Sequence, residues 1–534
     1  MTALVTRHLP LVAGAPDGVN KLRSLVRELA VRGRLTQQNP ADEHADVLLN
    51  RIFNKRRALA ESVRQKAVRN FAEVLPTDRP FPIPVGWAFD RLGAVAALIT
   101  KGTTPTTLGF AYATSGIRFV KVEDVQSGRV QGSYGATYIS TDANEALARS
   151  KLAEGDVLFS IAGTIGKTCL IYKADLPANT NQAFAIIRGA GEIFDLHFLR
   201  LQLDSFVAEK TRRRARGGAM PNVSLGDLSD LIVVVPPLAE QHRIVAKVDE
   251  LMALCDRLEA DQSDAEAAHA QLVQALLDSL TQATDAADFR ASWQRLSEHF
   301  HTLFTTEASI DALRKAILHL AADGRLVTSD GSVDVKAIGD VLEGNTLNGC
   351  SYKPTEEPRG TPILRISAGT GRDDFYVDES DHKWIELSEL ERAKFCLQPD
   401  DLLACRFNGN LHYVGSFSLY RGLSTVAQAF PDKLIRFRAN RQLALPSYLR
   451  LVMNAKPARE QIESFCATTV GNIGISASNL KTIKIRIPSL NEQRRIVAKV
   501  DELMALCDEL KAHVSEARQH YEQLAQALVE QAIS

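Results

Sequence analysis

No run of about twenty apolar residues occurs in the 534-residue chain, which excludes a membrane-spanning helix of ordinary length. Its seven cysteines form no CxxC pair and no disulfide-like spacing, so reduced thiols in a cytoplasmic protein are the simpler expectation. The first residues lack a signal-peptide pattern, and 1–18 reads as a loose tail. Charge of one sign is missing too. Lys and Arg total 63 against 64 Asp and Glu, a net charge of −1, so any nucleic-acid role needs cations segregated onto one face. Hydrophobic content, 45%, is ordinary for a globular protein. The length calls for about three or four domains.

Catalytic signatures are absent as well. Gly163 to Thr168, GTIGKT, resembles a phosphate loop, but the first glycine that such a loop requires would fall on Ile161. The segment then runs into Cys169-Leu170-Ile171-Tyr172, which reads as a strand and not as the phosphate-binding helix; a β-hairpin turn fits better. Pro236-Pro237 lacks the flanking residues of a methyltransferase loop. Neither Pro399-Asp400 nor Pro431-Asp432 opens a nuclease spacing. His299 and His301 have no cysteine or carboxylate at metal-ligand spacing along the sequence. The chain is expected to be non-catalytic and to hold no metal.

What the chain does have is a repeat. RIVAKVDELMALCD occurs at Arg243–Asp256 and again at Arg495–Asp508, 252 positions later. Internal repeats set architecture. From Ile496 apolar residues recur at alternating steps of four and three, through Val500, Leu503, Cys507, Leu510, Val514, Ala517, Tyr521, Leu524 and Leu528. This is the period of a long helix with a seam for a partner. The first copy follows with Ile244, Val248, Leu251, Cys255 and Leu258, weakens at Gln262, Ala265 and His269, and recovers at Leu272 and Leu276. A second, looser repeat pairs Lys21–Leu35 with Ala312–Leu326, at an offset of 291.

Between these helices the pattern changes to short β-like runs separated by turn residues. Strands are expected at Ile117–Val122, Asp156–Ile161, Thr168–Tyr172, Ala183–Arg188 and Leu231–Val235, with a helix over Leu196–Arg212. Further on, strands are expected at Ile363–Ile366, Leu402–Arg406, Val414–Leu419, Leu434–Phe437 and Ile483–Ile487, with one helix over Ala444–Phe465. The segments are therefore a tail (1–18), an N-terminal helical region (19–75), a strand-rich domain (76–236), a central helical spacer (237–334), a second strand-rich domain (335–487) and a final helix (488–534). Constant spacers with dissimilar heads read as two related modules tuned to two targets.

The candidate contacts are basic and amide residues on turns. Arg212, Arg213, Arg214 and Arg216 place four arginines in five positions, suited either to a helix end or to phosphates. KGTTPT supplies Lys101, Thr103 and Thr104. RFNGNLH supplies Arg406, Asn408, Asn410 and His412, and Arg and Asn pair bidentately with guanine and adenine edges. Arg365, Arg372 and Lys383 are further candidates for backbone contacts, and Lys121 and Lys167 for nucleic-acid contact in general.

The assembled pattern resembles the DNA-specificity subunit of type I restriction–modification systems. The residues that carry the resemblance are PPLAEQHRIVAKVDEL and PSLNEQRRIVAKVDEL, LRKAILHLAADGRL (Leu313–Leu326), PVGWAFDRL (Pro84–Leu92) and GDVLFSIAGTIGK (Gly155–Lys167). NGNLHYVG (Asn408–Gly415) stands where the second hairpin would be. The resemblance implies an α+β fold: two strand-rich mixed target-recognition domains, joined and spaced by long antiparallel coiled-coil helices in a pseudo-two-fold internal repeat. It implies reading of a bipartite site on double-stranded DNA. The seam residues Ile244, Val248, Leu251, Cys255, Leu258, Ile496, Val500, Leu503, Cys507 and Leu510 are expected to dock two methyltransferase subunits, with restriction/translocase subunits joining for cleavage. S-adenosylmethionine, ATP and Mg would belong to those partners, with no cofactor in this chain. Two other classes stay open: a coiled-coil scaffold whose heads bind protein, and a specificity chain of a different, fused restriction enzyme.

Overall fold

The computed structural model describes the whole chain except residues 1–8, 63–70, 133–134, 205–222, 330, 332, 371, 470–471 and 534. It divides into two compact units. One holds residues 1–263 and 518–534, the other residues 264–517. The repeated segments open two helices of 44 residues, Leu238–Thr281 and Leu490–Ile533. One long helix starts in the first unit and ends in the second; the other does the reverse.

In the first unit, residues that alternate along short strands build a four-stranded antiparallel sheet. Its order is Leu98–Lys101, Phe184–Arg188, Val157–Ser160, Thr168–Leu170. Successive side chains on a strand point to opposite faces, and both faces here are apolar. Val157, Phe159, Ala185, Ile187 and Leu170 join the large core with the helices. Leu158, Cys169, Phe184 and Ile186 join a smaller core with Val120 and Ala178. The latter two lie on a second sheet, in which Ile117–Val120 runs parallel to Ala178–Thr180 and antiparallel to Tyr138–Ile139.

The second unit repeats the plan from dissimilar sequence. Its four strands run Leu347–Asn348, Leu434–Phe437, Leu402–Cys405, Phe417–Leu419. Leu402, Ala404, Ile435 and Phe437 face the helical core, while Leu403, Cys405 and Leu434 face the small one. The two central strands keep the same relation, Ser160 opposite Phe184 and Cys405 opposite Leu434. NGNLHYVG therefore does not replace the hairpin. It lengthens its loop, and Phe407–Asn408 adds a small sheet with Asn472–Gly474 and Ala467–Thr469.

Each sheet is locked by a buried carboxylate. Asp156 accepts from Arg188 at 2.5 and 2.8 Å and from the Ala153 amide; Asp401 accepts from Arg438 at 2.6 and 3.2 Å and from the Gln398 amide. Side-chain exposure is 1% for Asp156 and 2% for Asp401, so each charge needs its arginine.

The tail reading is corrected for residues 9–18. Leu9–Gly14 is a helix, and Val12, Ala13 and Ala15 are buried in the first core beside the helix Gly18–Val31. The apolar content of this stretch is enough to anchor it. Ala444–Phe465 is two helices, Pro446–Asn454 and Lys456–Ser464, with the backbone extended at Ala455, because Pro457 has no amide hydrogen for the Met453 carbonyl that a continuous helix would need and its ring would clash there. Within the N-terminal helical region Ala45–Ser62 is a helix, and its Arg51 pairs with Glu43 at 2.9 Å.

The seam also differs from its expected course. Leu272, Tyr521 and Leu524 are about half exposed, while Val273, Leu277 and Leu280 are buried, as are Ala525, Val529 and Ala532, 252 positions on. The apolar stripe has advanced by one residue in both helices. A straight α-helix turns every 3.6 residues, so a strict 3.5-residue frame drifts by about 20° per heptad and loses nearly one position in four heptads.

Candidate nucleic-acid interface

In the first unit four chain segments converge where the strands Leu98–Lys101, Ile117–Val120 and Ala178–Thr180 end. Gly102 lies against the carbonyl of Asn181 so closely that a Cβ would overlap it. The Thr103 amide donates to the Thr180 carbonyl at 3.1 Å. The Thr104 hydroxyl donates to Oε1 of Gln182, and the Arg149 guanidinium reaches the Thr103 hydroxyl at 3.4 Å. Lys121, next to the parallel strand pair, places its ammonium over the Tyr112 ring, 5.0 Å from the centroid. Lys101, Thr103, Thr104 and Lys121 are thus brought onto one rim. Arg149, Gln182 and Tyr112 join them from segments that carry no local signal; only the fold makes them neighbours.

Lys167 departs from this group. Its amine donates to the Val122 carbonyl at 2.8 Å, and the residue lines a cleft of about 670 Å³ with Arg23, Arg27 and Arg200. The hairpin reading of GTIGKT holds, since Val157–Ser160 pairs antiparallel with Thr168–Leu170; Gly163 and Gly166 take positive φ in the loop. Arg212, Arg213, Arg214 and Arg216 lie outside the described residues.

In the second unit several candidate cations are already neutralised. Arg365 pairs with Glu356 at 3.2 Å and Asp381 at 3.4 Å, and Lys383 pairs with the same Glu356 at 2.7 Å. These cations hold the Glu356 carboxyl below the usual carboxylate range, the Lys383 hydrogen bond being the largest influence. Arg372 pairs with Asp374 at 2.8 Å and Asp378 at 3.4 Å. Asn408 and Asn410 use Oδ1 to accept the amides of Asn410 and His412, so both shape their loop. Arg406 stacks on Phe407 at 4.7 Å. His412 and Arg372 line a cleft of about 930 Å³ with Lys315, Lys456 and Arg459. Partial desolvation there, with Arg459 and Lys315 nearby, holds the His412 pKa below that of an ordinary histidine.

The ten seam residues are used within the chain. Ile244, Val248, Leu251 and Cys255 are buried in the first core, with Leu258 against it; Ile496, Val500 and Cys507 are buried in the second, with Leu503 and Leu510 against it. The partner-docking expectation for these ten is corrected accordingly, since their apolar surface already covers this chain's own helices and sheets. Burial also raises the thiol pKa values of Cys255 and Cys507.

The rest of the repeated motif has a matching physical role. Gln241 accepts the Asp195 amide at 2.9 Å and donates to the Ile193 and Pro236 carbonyls at 3.0 and 2.9 Å. Gln493 accepts the Leu445 amide at 2.8 Å and donates to the Leu443 and Pro488 carbonyls at 3.0 and 2.9 Å. Each glutamine ties the start of its long helix to the helix that packs under the sheet. Glu240 accepts from Trp87 at 2.8 Å and Gln38 at 2.6 Å, and its burial raises its pKa. The looser repeat is paired in the same way: Arg23 binds Asp256 at 2.6 Å, and Arg314 binds Asp508.

Among the described residues no group of three His, Cys, Asp or Glu side chains is placed to hold a metal ion, and no helix is long and apolar enough to cross a membrane. Comparison with known proteins agrees with the geometry. A family model described as type I restriction modification DNA specificity domain matches residues 84–267 and again 332–517. The chain is 27% identical over 570 residues to the type I restriction enzyme EcoEI specificity subunit of Escherichia coli, covering 97% of this chain and 94% of that one. It is 26% identical over 571 residues to the EcoAI specificity subunit of the same species, with the same coverage. A solved chain from work on complex assembly and conformational transition of the type I R-M system aligns over 85% of this chain and 99% of its own. That alignment has a TM-score of 0.52 at 21% identity and shows the likeness of fold.

Proposed function

The chain belongs to the type I restriction modification DNA specificity family, and from that membership we propose that it is the subunit that selects the DNA site of a restriction–modification complex. The observation that carries this reading is duplication. Two domains with one sheet order and different rims sit in a single chain, as a reader of a two-part site requires. Each domain reads one half of a bipartite sequence on double-stranded DNA. The long helices act as the ruler between half-sites; at about 1.5 Å per residue, 44 residues extend about 65 Å. Half-sites about one turn apart, roughly 34 Å, present the same side of the duplex.

Two methyltransferase subunits and the restriction/translocase subunits supply the chemistry, together with S-adenosylmethionine, ATP and Mg. With the seam filled, these partners dock on the outward faces of the helices. The half-exposed Leu272 and Leu524 occupy equivalent places there, 252 positions apart, and support this reading.

The test is to co-express the chain with its methyltransferase and map modified bases in the host DNA. One bipartite motif is expected, and replacing residues 85–235 with the same segment of another family member should change only one half of it. Unmodified DNA, with duplex binding that shows no base preference, would refute the reading.

A further inference from the structure

The two recognition domains bridge the same two loops with one side-chain pair and fill it with different chemistry. In the first domain the Gly102 amide donates to the Phe184 carbonyl at 3.1 Å, and the next amide, Thr103, to Thr180. In the second the Gly349 amide donates to the Leu434 carbonyl at 3.2 Å, and the next amide, Cys350, to Phe430 at 3.0 Å. A Cβ at either glycine would overlap the facing carbonyl oxygens, Asn181 in one case and Phe430 and Pro431 in the other. The two sites are therefore the same site. Two residues beyond each glycine a hydroxyl crosses to the opposite loop. Thr104 donates to Gln182; Ser351 donates to Asp432 at 3.3 Å. Gln182 and Asp432 each stand two positions before the strand that receives the glycine amide. Gln182 and Ser351 are exposed, and Thr104 and Asp432 are half-exposed.

We propose that Gln182 and Asp432 are the specificity-determining residues of their domains, Gln182 reading adenine and Asp432 reading cytosine in the major groove. The inference rests on the DNA-reading function proposed above. A glutamine amide offers an acceptor and a donor, the complement of adenine N6 and N7; a carboxylate accepts only, which suits the N4 amine of cytosine and repels the oxygens of guanine and thymine. The carbonyl oxygen of Gln182 has two lone pairs, so the Thr104 bond leaves one for the base. The hydroxyl bridge holds each reading side chain in place, which lowers the rotamer entropy lost on binding.

The surroundings separate the roles. Lys101, Lys121 and Arg149 flank Gln182, and Lys433 is exposed beside Asp432. Those cations hold phosphates and set register, whereas base edges carry the sequence. A carboxylate among them is unsuited to phosphate and suited to a base.

The test uses the full chain co-expressed with its methyltransferase, with motif mapping as the readout. Gln182→Ala is expected to relax one adenine position in one half-site and leave the other half intact. Asp432→Ala is expected to relax one cytosine position in the other half, and Asp432→Asn to move that preference toward adenine. With purified complexes, duplexes altered at the assigned pair should lose about tenfold or more in affinity for the parent chain and little for the alanine variant. The inference is overturned if either alanine variant keeps the parent motif, if one substitution relaxes both halves, or if variants lose modification through unfolding seen by circular dichroism. A parent chain without any bipartite motif defeats the DNA-reading function itself. A parent motif that no variant alters defeats only this assignment.

Discussion

The two recognition domains agree wherever the chain must hold itself together and diverge at the rim. Both use the strand order and the alternating two-faced apolar sheet described above. Both bury an aspartate under an arginine, and both clamp the long helix with a glutamine. At the strand ends the first domain presents Lys101, Arg149 and Gln182, with Lys121 4.0 Å from Glu123. The second presents Arg365, Arg372 and Lys383 tied up by Glu356, Asp374, Asp378 and Asp381, with Asp432 at the equivalent bridge. Interior positions answer to packing and desolvation, which are the same in both domains. Rim positions answer to what is bound, and that differs.

The strongest test of this equivalence removes the arginine over each buried aspartate. Arg188→Ala and Arg438→Ala should each cost about 3 kcal/mol, because a carboxylate is left desolvated without its partner. Hydrogen exchange should place each loss in its own unit, and a large cost in one unit with none in the other would break the comparison. Next come the clamps. Gln241→Ala and Gln493→Ala each strand an amide and two carbonyls, and urea unfolding should register about 1–3 kcal/mol for each. Smaller still are the pairs of the looser repeat. Arg23→Ala and Arg314→Ala face acidic partners that are mostly exposed, so about 0.5–1 kcal/mol is expected, shrinking as salt is added.

The least energetic test is chemical. Burial pushes Cys169 up to about 12 and Cys405 up to about 11, so at neutral pH both thiols should stay unreactive to a disulfide reagent until the chain is unfolded. Fast labelling of one in the folded chain would show that the two sheets are not equally well packed.

Much of this architecture is legible along the chain. Strand positions follow from short apolar runs, because alternation or continuous burial of side chains leaves its mark within a few residues. The repeated helices follow from identity and period. The drift of the stripe was not legible from a heptad reading, since 3.5 and 3.6 residues per turn are indistinguishable over two heptads and separate by a residue only over four. Nor was the helical anchor at Leu9–Gly14, whose apolar residues are too few to show a period. The candidate site was half legible. KGTTPT shows its turn chemistry in the sequence, but its partners Gln182 and Arg149 lie 46 or more positions away and are met only through strand pairing. In the second domain the sequence offered arginines without their carboxylates, and pairing within the fold decides which cations are already spent.

The sequence by itself determined the duplicated plan, the helical spacers and the family, because these rest on local periodicity and on motifs read residue by residue. Only the tertiary structure decided that the seam is filled by the chain itself, and that Gln182 and Asp432 occupy one equivalent place. Both are contacts between segments distant in sequence, and such contacts leave no trace in the order of residues until backbone pairing brings them together.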